Sequence, residues 1–278
     1  MRRSRSVGTD RRLRVGVIGL GVIGQSVVQS LKVGIDGLQL VAVSGRDPIK
    51  TREAAERLGN DVAACSLDEL VALADIVFDC ATAASLPEIA ACALAAGRVL
   101  LTMNSGALLA NPHLFELAAA NGAQIIVPSG GVVGFDGLRA AALGELHSVT
   151  LVSRKPPASL ADAPHILDQG LDLSNLKKPL LVFAGNAAEA ARLFPANANV
   201  AATLSLAGVG PMKTAVEIWA DPTVTRISQF VHVLSDAAEL QLQIYSNAMP
   251  GNPRTGSLTP LSAIAALRSI VAPLRIGS

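Results

Sequence analysis

Residues 13–24, LRVGVIGLGVIG, constrain the fold more than any other stretch of the chain. Val15, Val17 and Ile18 form a short apolar run of strand type. It breaks into Gly19-Leu20-Gly21-Val22-Ile23-Gly24 and resumes over residues 25–31, which read as a helix. A strand, a G-x-G-x-x-G turn and a helix form the dinucleotide-binding fingerprint in its required context. Each glycine has its own reason. Gly19 permits the tight turn, Gly21 lets the backbone approach a pyrophosphate, and Gly24 lets helix and strand pack closely. The pyrophosphate then meets the free N–H groups and positive end of the helix, where Val22 and Ile23 stand. A Rossmann domain that binds NAD or NADP is expected.

The chain has 278 residues, enough for two domains. Half the residues are apolar and mean hydropathy is +0.44. Even so, no run approaches the ~18–20 apolar residues of a membrane span. A net charge of +1 gives no field for nucleic acid. Cys65, Cys80 and Cys92 lie in apolar surroundings without C-x-x-C spacing, so they read as buried free thiols of a reducing, cytoplasmic compartment. Arg2, Arg3, Arg5, Arg11 and Arg12 crowd the first dozen residues. No apolar segment follows, so a secretory signal is not expected. Residues 1–9 read as a frayed, disordered tail, with a basic targeting segment as the alternative.

Residues 38–43 read as the second strand. At its end an NAD enzyme carries an acidic residue for the ribose hydroxyl. Here Gly45 is flanked by Ser44 and Arg46. A small residue beside a guanidinium suits a 2′-phosphate, so NADP is preferred over NAD. Asp47, before Pro48, reads as the start of the next helix. Short strands at 61–64, 74–80, 98–103 and 124–128 then alternate with helices, as in a parallel sheet with helices on both faces. Cys80 and Ala81, Asn104 and Ser105 stand at the carboxyl ends of two of these strands, where such sheets bind ligands.

After residue 128 the pattern changes. A helix is expected at 135–143 and strands at 147–153, 179–183, 214–220, 225–234 and 239–245. Their succession from Thr214 onward argues for antiparallel pairing and a separate α+β domain. We therefore expect an α/β chain in two parts. Residues 10–128 form a Rossmann domain, and residues 129–251 an α+β domain with a largely antiparallel sheet for substrate and oligomerisation. A helix at 258–272 packs back on the first domain.

Several stretches occur together in one order: GLGVIG at 19–24, NSGALL at 104–109, PSGGVVGFDGLRAA at 128–141, SRKPP at 153–157, FPANANVAATLSLAGVG at 194–210, ADPTVTR at 220–226 and NPRTGSLT at 252–259. In these the chain resembles the L-aspartate dehydrogenase family over nearly its whole length. The resemblance implies NAD(P)-dependent oxidation of L-aspartate to iminoaspartate, then oxaloacetate and ammonia, and the reverse reductive amination. It implies an amino-acid or 2-oxo-acid substrate and a homodimer. It also implies that Gly131, where the family usually has Ala, and Asn199 contact the cofactor.

The resemblance breaks at one place. The family's catalytic histidine follows the A-D-P segment in an Asn-x-His pattern. Here those two positions hold Ile227 and Gln229. Glutamine hydrogen-bonds but has no pKa near neutrality. His232, three residues on, faces the other side of a regular strand.

Candidate catalytic residues are thus Gln229, Lys155 and Asp136, the last as a base, a partner of Lys155 or a helix cap. Lys155 and Arg154 are candidate carboxylate holders, Lys155 by resemblance as well. Asn104 and Thr255 are further substrate candidates, and Arg254 stands beside Thr255. The histidines His113, His147 and His165 show no metal-ligand spacing, though His165 has a place over a cleft as a minor alternative. Three readings remain. One is a working aspartate dehydrogenase, since acid–base help is worth only ~10²–10⁴ in rate. Another is an amine dehydrogenase or imine reductase with a less acidic substrate. The third is a silent NADP-binding protein.

Overall fold

The computed structural model describes residues 12–195, 199–249 and 252–277. The arginine-rich segment 1–9, with Arg11, lies outside the described residues, as does the side chain of Arg254.

The N-terminal part alternates strand and helix: β1 (Leu13–Ile18), α1 (Val22–Val33), β2 (Leu38–Ser44), α2 (Pro48–Leu58), β3 (Ala63–Ala64), α3 (Leu67–Leu73), β4 (Ile76–Asp79), α4 (Leu86–Ala95), β5 (Val99–Thr102), α5 (Ser105–Leu109), α6 (His113–Ala120) and β6 (Gln124–Ile126). The strands pair in parallel in the order β3-β2-β1-β4-β5-β6. This is the doubly wound Rossmann order. Because both faces are covered, successive side chains of one strand enter different cores. Ile76 and Phe78 of β4 join Val15, Val17 and Val27, while Val77 joins Leu70, Leu86 and Leu94. β3 to β6 are shorter than the sequence reading, and β2 is one residue longer. Their ends carry turns: Asp47 caps α2 by accepting from the Ile49 and Lys50 amides, and Ser66 and Glu69 form a capping box on α3.

The second part holds α7 (Phe135–Ala141), β7 (Leu146–Lys155), α8 (Pro164–Asp168), β8 (Leu180–Asn186), α9 (Ala187–Leu193), α10 (Asn199–Ala207), β9 (Thr214–Ala220), β10 (Ile227–Ser235) and β11 (Glu239–Ser246). Its five-stranded sheet has the order β11-β10-β7-β9-β8 and is mixed, with β7 and β9 parallel and the other pairs antiparallel. The expectation of simple antiparallel succession from Thr214 is corrected here. Consecutive strands β9 and β10 are not neighbours, because β7 lies between them. One face of the sheet, with Val149, Leu151, Val231 and Val233, packs under α7, α9 and α10.

A short pair, β12 (Ala248–Met249) and β13 (Asn252–Gly256), leads into α11 (Leu258–Val271). The segment that leads into this helix is itself a short strand. Ala263 and Leu267 of α11 sit in the same core as Val15, Val17 and Val27. No helix of the described residues is long and apolar enough to cross a membrane.

Candidate active site

A cleft opens where the carboxyl ends of β4 and β5 face the end of β7 and the start of β10. It is assembled from four groups of residues.

The first is the glycine turn. Gly19 has φ +90°, and a Cβ there would meet the Cys80 and Ala81 backbone at 2.7 Å. A Cβ on Gly24 would run into the Gly19 carbonyl and the Cys80 sulfur. Cys80 is held there, its Sγ donating to the Gly19 carbonyl at 2.9 Å. Burial pushes its thiol far up, so it stays protonated and is no nucleophile. Gly21 differs: nothing lies within 4 Å of the point where its Cβ would stand. Gly21 caps α1 without any side-chain bond, so the first N–H groups of the helix face open space. Gly131 is equally open and lines the cleft with Ile23 and Ala81. These residues fit a dinucleotide. Ser44 lies beside them, its carbonyl accepting from the Gly19 amide at 2.9 Å. Arg46 is exposed in the loop after β2 and outside the cleft lining.

The second group surrounds Asp79, a fully buried carboxylate at the end of β4. Its Oδ2 accepts from Thr102 Oγ1 at 2.7 Å and from Asn104 Nδ2 at 2.9 Å, and its Oδ1 accepts from the Ala81 amide at 3.0 Å. Asn104 Nδ2 also donates to the Ala81 carbonyl at 3.3 Å. With both amide hydrogens engaged, the orientation of Asn104 in the cleft is set. Desolvation raises the Asp79 pKa despite these donors.

The third group joins the two domains. Ser105 Oγ donates to the Asn199 carbonyl at 2.8 Å, and Asn199 Oδ1 accepts from the Gly106 amide at 3.1 Å. Thr203 Oγ1 lies 2.9 Å from Ser105 Oγ.

The fourth group comes from the C-terminal sheet. Ser153 and Lys155 share the inward face of β7, and Gln229 pairs with Ser153 in register across β10. Lys155 is 4% exposed and Gln229 5%. Burial lowers the Lys155 pKa to about 8. Ile227, Gln229, Lys155 and Thr255 all line the cleft. Among the described lining residues Lys155 is the one ionic side chain. Gln229 Oε1 and Ser153 Oγ are buried with no hydrogen-bond partner. Buried polar atoms are rarely left so, and Gln229 lines the cleft.

Three expected residues stand elsewhere. Arg154 is on the opposite face of β7, because side chains alternate along a strand. There it binds Asp221 at 3.1 Å and stacks over Trp219 at 4.9 Å. Asp136 is exposed beside Gly277, since α7 turns Leu138 and Ala141 inward instead. His165 packs against Phe194 and Phe183, at 5.4 and 6.4 Å between ring centres. His232 faces away from Gln229 and meets Glu239 at 2.9 Å. Among the described residues no group of three or more His, Cys, Asp or Glu is placed to hold a metal ion. Asp79 and Ser153 went unnoticed in the sequence. The signal for Asp79 was a carboxylate closing the apolar run IVFD.

Residues 136–270 match the family model described as "Aspartate dehydrogenase, C-terminal", and residues 19–128 match "Homoserine dehydrogenase, NAD binding domain". The chain is 46% identical to L-aspartate dehydrogenase 3 of Bordetella bronchiseptica over 98% of its own length and all of that protein. It is 44% identical to an L-aspartate dehydrogenase of Bradyrhizobium diazoefficiens, over 96% of this chain and 94% of the relative. A crystal structure of aspartate dehydrogenase from Thermotoga maritima superposes with a TM-score of 0.73 at 24% identity. It covers 96% of this chain and 100% of that one, and supports the fold. Identity of this extent, spanning both domains and the cleft between them, places the chain in the L-aspartate dehydrogenase family of NAD(P)-dependent amino-acid dehydrogenases.

Proposed function

We propose that the chain interconverts L-aspartate with iminoaspartate, and so with oxaloacetate and ammonia, in both directions. The observation that carries this reading is Gln229 Oε1, a buried acceptor on the cleft face next to Lys155 without a partner. A substrate N–H supplies the missing donor. When bound, NAD(P) supplies the hydride acceptor or donor. Gly21 and the start of α1 hold its diphosphate, and Gly131, Ser105 and Asn199 border its reacting end. Gln229, standing where the family has its histidine, orients the amino or imino nitrogen and carries no proton. Lys155 is the ionisable side chain that the substrate meets, and Asn104 and Thr255 offer further polar contacts. Arg46 favours NADP over NAD.

A second reading has its own observation. Ile227 is buried and apolar on the cleft wall where the family has an asparagine. That change suits an amine or imine less acidic than aspartate.

The test is oxidation of NADPH and NADH with oxaloacetate and ammonia by the natural chain and by Gln229→His. Turnover by the natural chain supports aspartate chemistry. If only the variant turns over, the natural substrate is a different amine. Silence of both removes the first reading.

We also propose a homodimer through the outer face of the C-terminal sheet. Leu181, Phe230, Leu234 and Tyr245 are 41%, 37%, 40% and 54% exposed there, beside Trp219. Sedimentation of the natural chain against Phe230→Glu tests it.

A further inference from the structure

We infer that Lys155 is the proton-transfer group of this active site, taking the part that the family histidine leaves vacant at Gln229. The inference rests on the aspartate reading above. The strand register brings Lys155 within one pleat of Gln229. Gln229 pairs with Ser153, and Lys155 lies two residues further along β7 on the same inward face. The ammonium therefore enters the same cleft from the same wall. Among the described residues its neighbours offer no rival base. The strand β10 presents Ile227 and Gln229, β9 presents Ala220, β13 presents Thr255, and β4 presents Cys80 across the cleft. Of these only Cys80 titrates, and burial keeps its thiol protonated. Asp79 lies behind Asn104 and is engaged by three donors. Arg154 and Asp221 pair with each other, and Glu217 and His232 lie on the outer face of the sheet.

The chemistry balances around one proton. The α-ammonium of aspartate gives an N–H proton to the lone pair of Lys155 Nζ. The α C–H bond then breaks as its electron pair leaves as hydride for the oxidised nicotinamide dinucleotide, and the nitrogen lone pair forms the C=N bond. Water adds to the resulting iminium carbon, the C–N bond breaks, and ammonium and the 2-oxo acid leave. Lys155 returns its proton to solvent. In the reverse direction the protonated Nζ delivers that proton to the nascent amine. A lysine whose charged form is poorly solvated reaches the neutral state this requires at mildly alkaline pH. Burial lowers this one to about 8.

Two measurements test the assignment. First, kcat and KM for L-aspartate are followed against pH for the natural chain, Lys155→Arg and Lys155→Gln. Arginine keeps the charge but cannot give it up. The expected result is a fall in kcat of ~10²–10⁴-fold for Lys155→Arg with KM for aspartate within a few-fold. The acidic limb of the natural profile, centred near 8, vanishes in both variants, and added small primary amines restore turnover to Lys155→Gln. Retention of kcat by Lys155→Arg overturns the assignment and leaves the aspartate reading standing. Absence of turnover by the natural chain on aspartate or on oxaloacetate with ammonia overturns both. Second, NMR titration of isotope-labelled lysine in the cofactor-free protein is expected to show one resonance titrating near 8, absent from Lys155→Gln. No such resonance overturns the assignment without reference to any substrate.

Discussion

Asp79 holds Asn104 by a 2.9 Å bond from Nδ2 to Oδ2, across the carboxyl ends of two adjacent parallel strands. The relationship fixes which atom of the asparagine is left for the cleft. Asp79→Asn replaces an acceptor by a donor opposite three donors, so it is expected to reduce stability by about 1–3 kcal/mol. It should also lower kcat/KM at least about tenfold by freeing Asn104. Denaturant melts and steady-state kinetics check this. Unchanged kinetics in Asn104→Ala would sink the idea that Asn104 contacts the reactants.

The fingerprint glycines should separate into two classes. A methyl on Gly24 meets the Gly19 carbonyl and Cys80, so Gly24→Ala should destabilise the fold by about 1–3 kcal/mol. A Cβ on Gly21 meets no protein atom within 4 Å, so Gly21→Ala should melt normally but bind NADPH more weakly. A fluorescence titration of NADPH beside a thermal melt distinguishes them.

Arg46 is exposed and makes no contact on which the fold depends. Arg46→Ala should leave the melting temperature unchanged, raise the Kd for NADPH roughly tenfold and spare NADH. Equal effects on both dinucleotides would remove Arg46 from the 2′-phosphate site.

Arg154 makes its contacts within the sheet, with Asp221 and Trp219. Its guanidinium binds Asp221, whose side chain is 3% exposed. Arg154→Ala should cost about 1–3 kcal/mol of stability and leave KM for the amino acid unaltered. A large KM rise would return Arg154 to the site.

Lys155 gives a pH signature of folding. Its pKa in the folded chain is about 8 against 10.5 for an ordinary lysine. Between those values the unfolded chain holds a proton that the folded chain has lost, so stability rises with pH across that window. Below it both states are charged, and the full desolvation cost is present. Lys155→Met should therefore stabilise the protein at pH 7 by up to about 3 kcal/mol, a gain that disappears by pH 10.5. Urea melts at the two pH values decide it; an equal gain at both would refute the burial argument.

The parts of this molecule legible in sequence are those set by local backbone chemistry. The G-x-G-x-x-G turn, the alternation of short apolar runs with helices and the capping Asp47 each depend on a few neighbouring residues. What escaped depends on partners far along the chain. The sequence reading ends β7 at Ser153 and leaves Arg154 open between a carboxylate holder and an outward strand residue. Two more residues of strand put Arg154 and Lys155 on opposite faces. Nothing local reveals that β7 inserts between β9 and β10, or that a segment containing Pro253 forms a strand. Asp136 follows a glycine turn that resembles a site, but its orientation is decided by which side of α7 is apolar.

The last helix has a consequence for how the protein is made. Ala263 and Leu267 fill the same core as Val15 and Val17, almost the whole chain apart in sequence. The domain synthesised first is thus missing a wall until residues 258–271 have been made. Until then its apolar sheet face stays open to water and to other nascent chains. The second domain lies in between in sequence and has a core of its own. Docking of α11 is the step that completes the nucleotide domain, and loss of the final turns of this chain would injure its beginning.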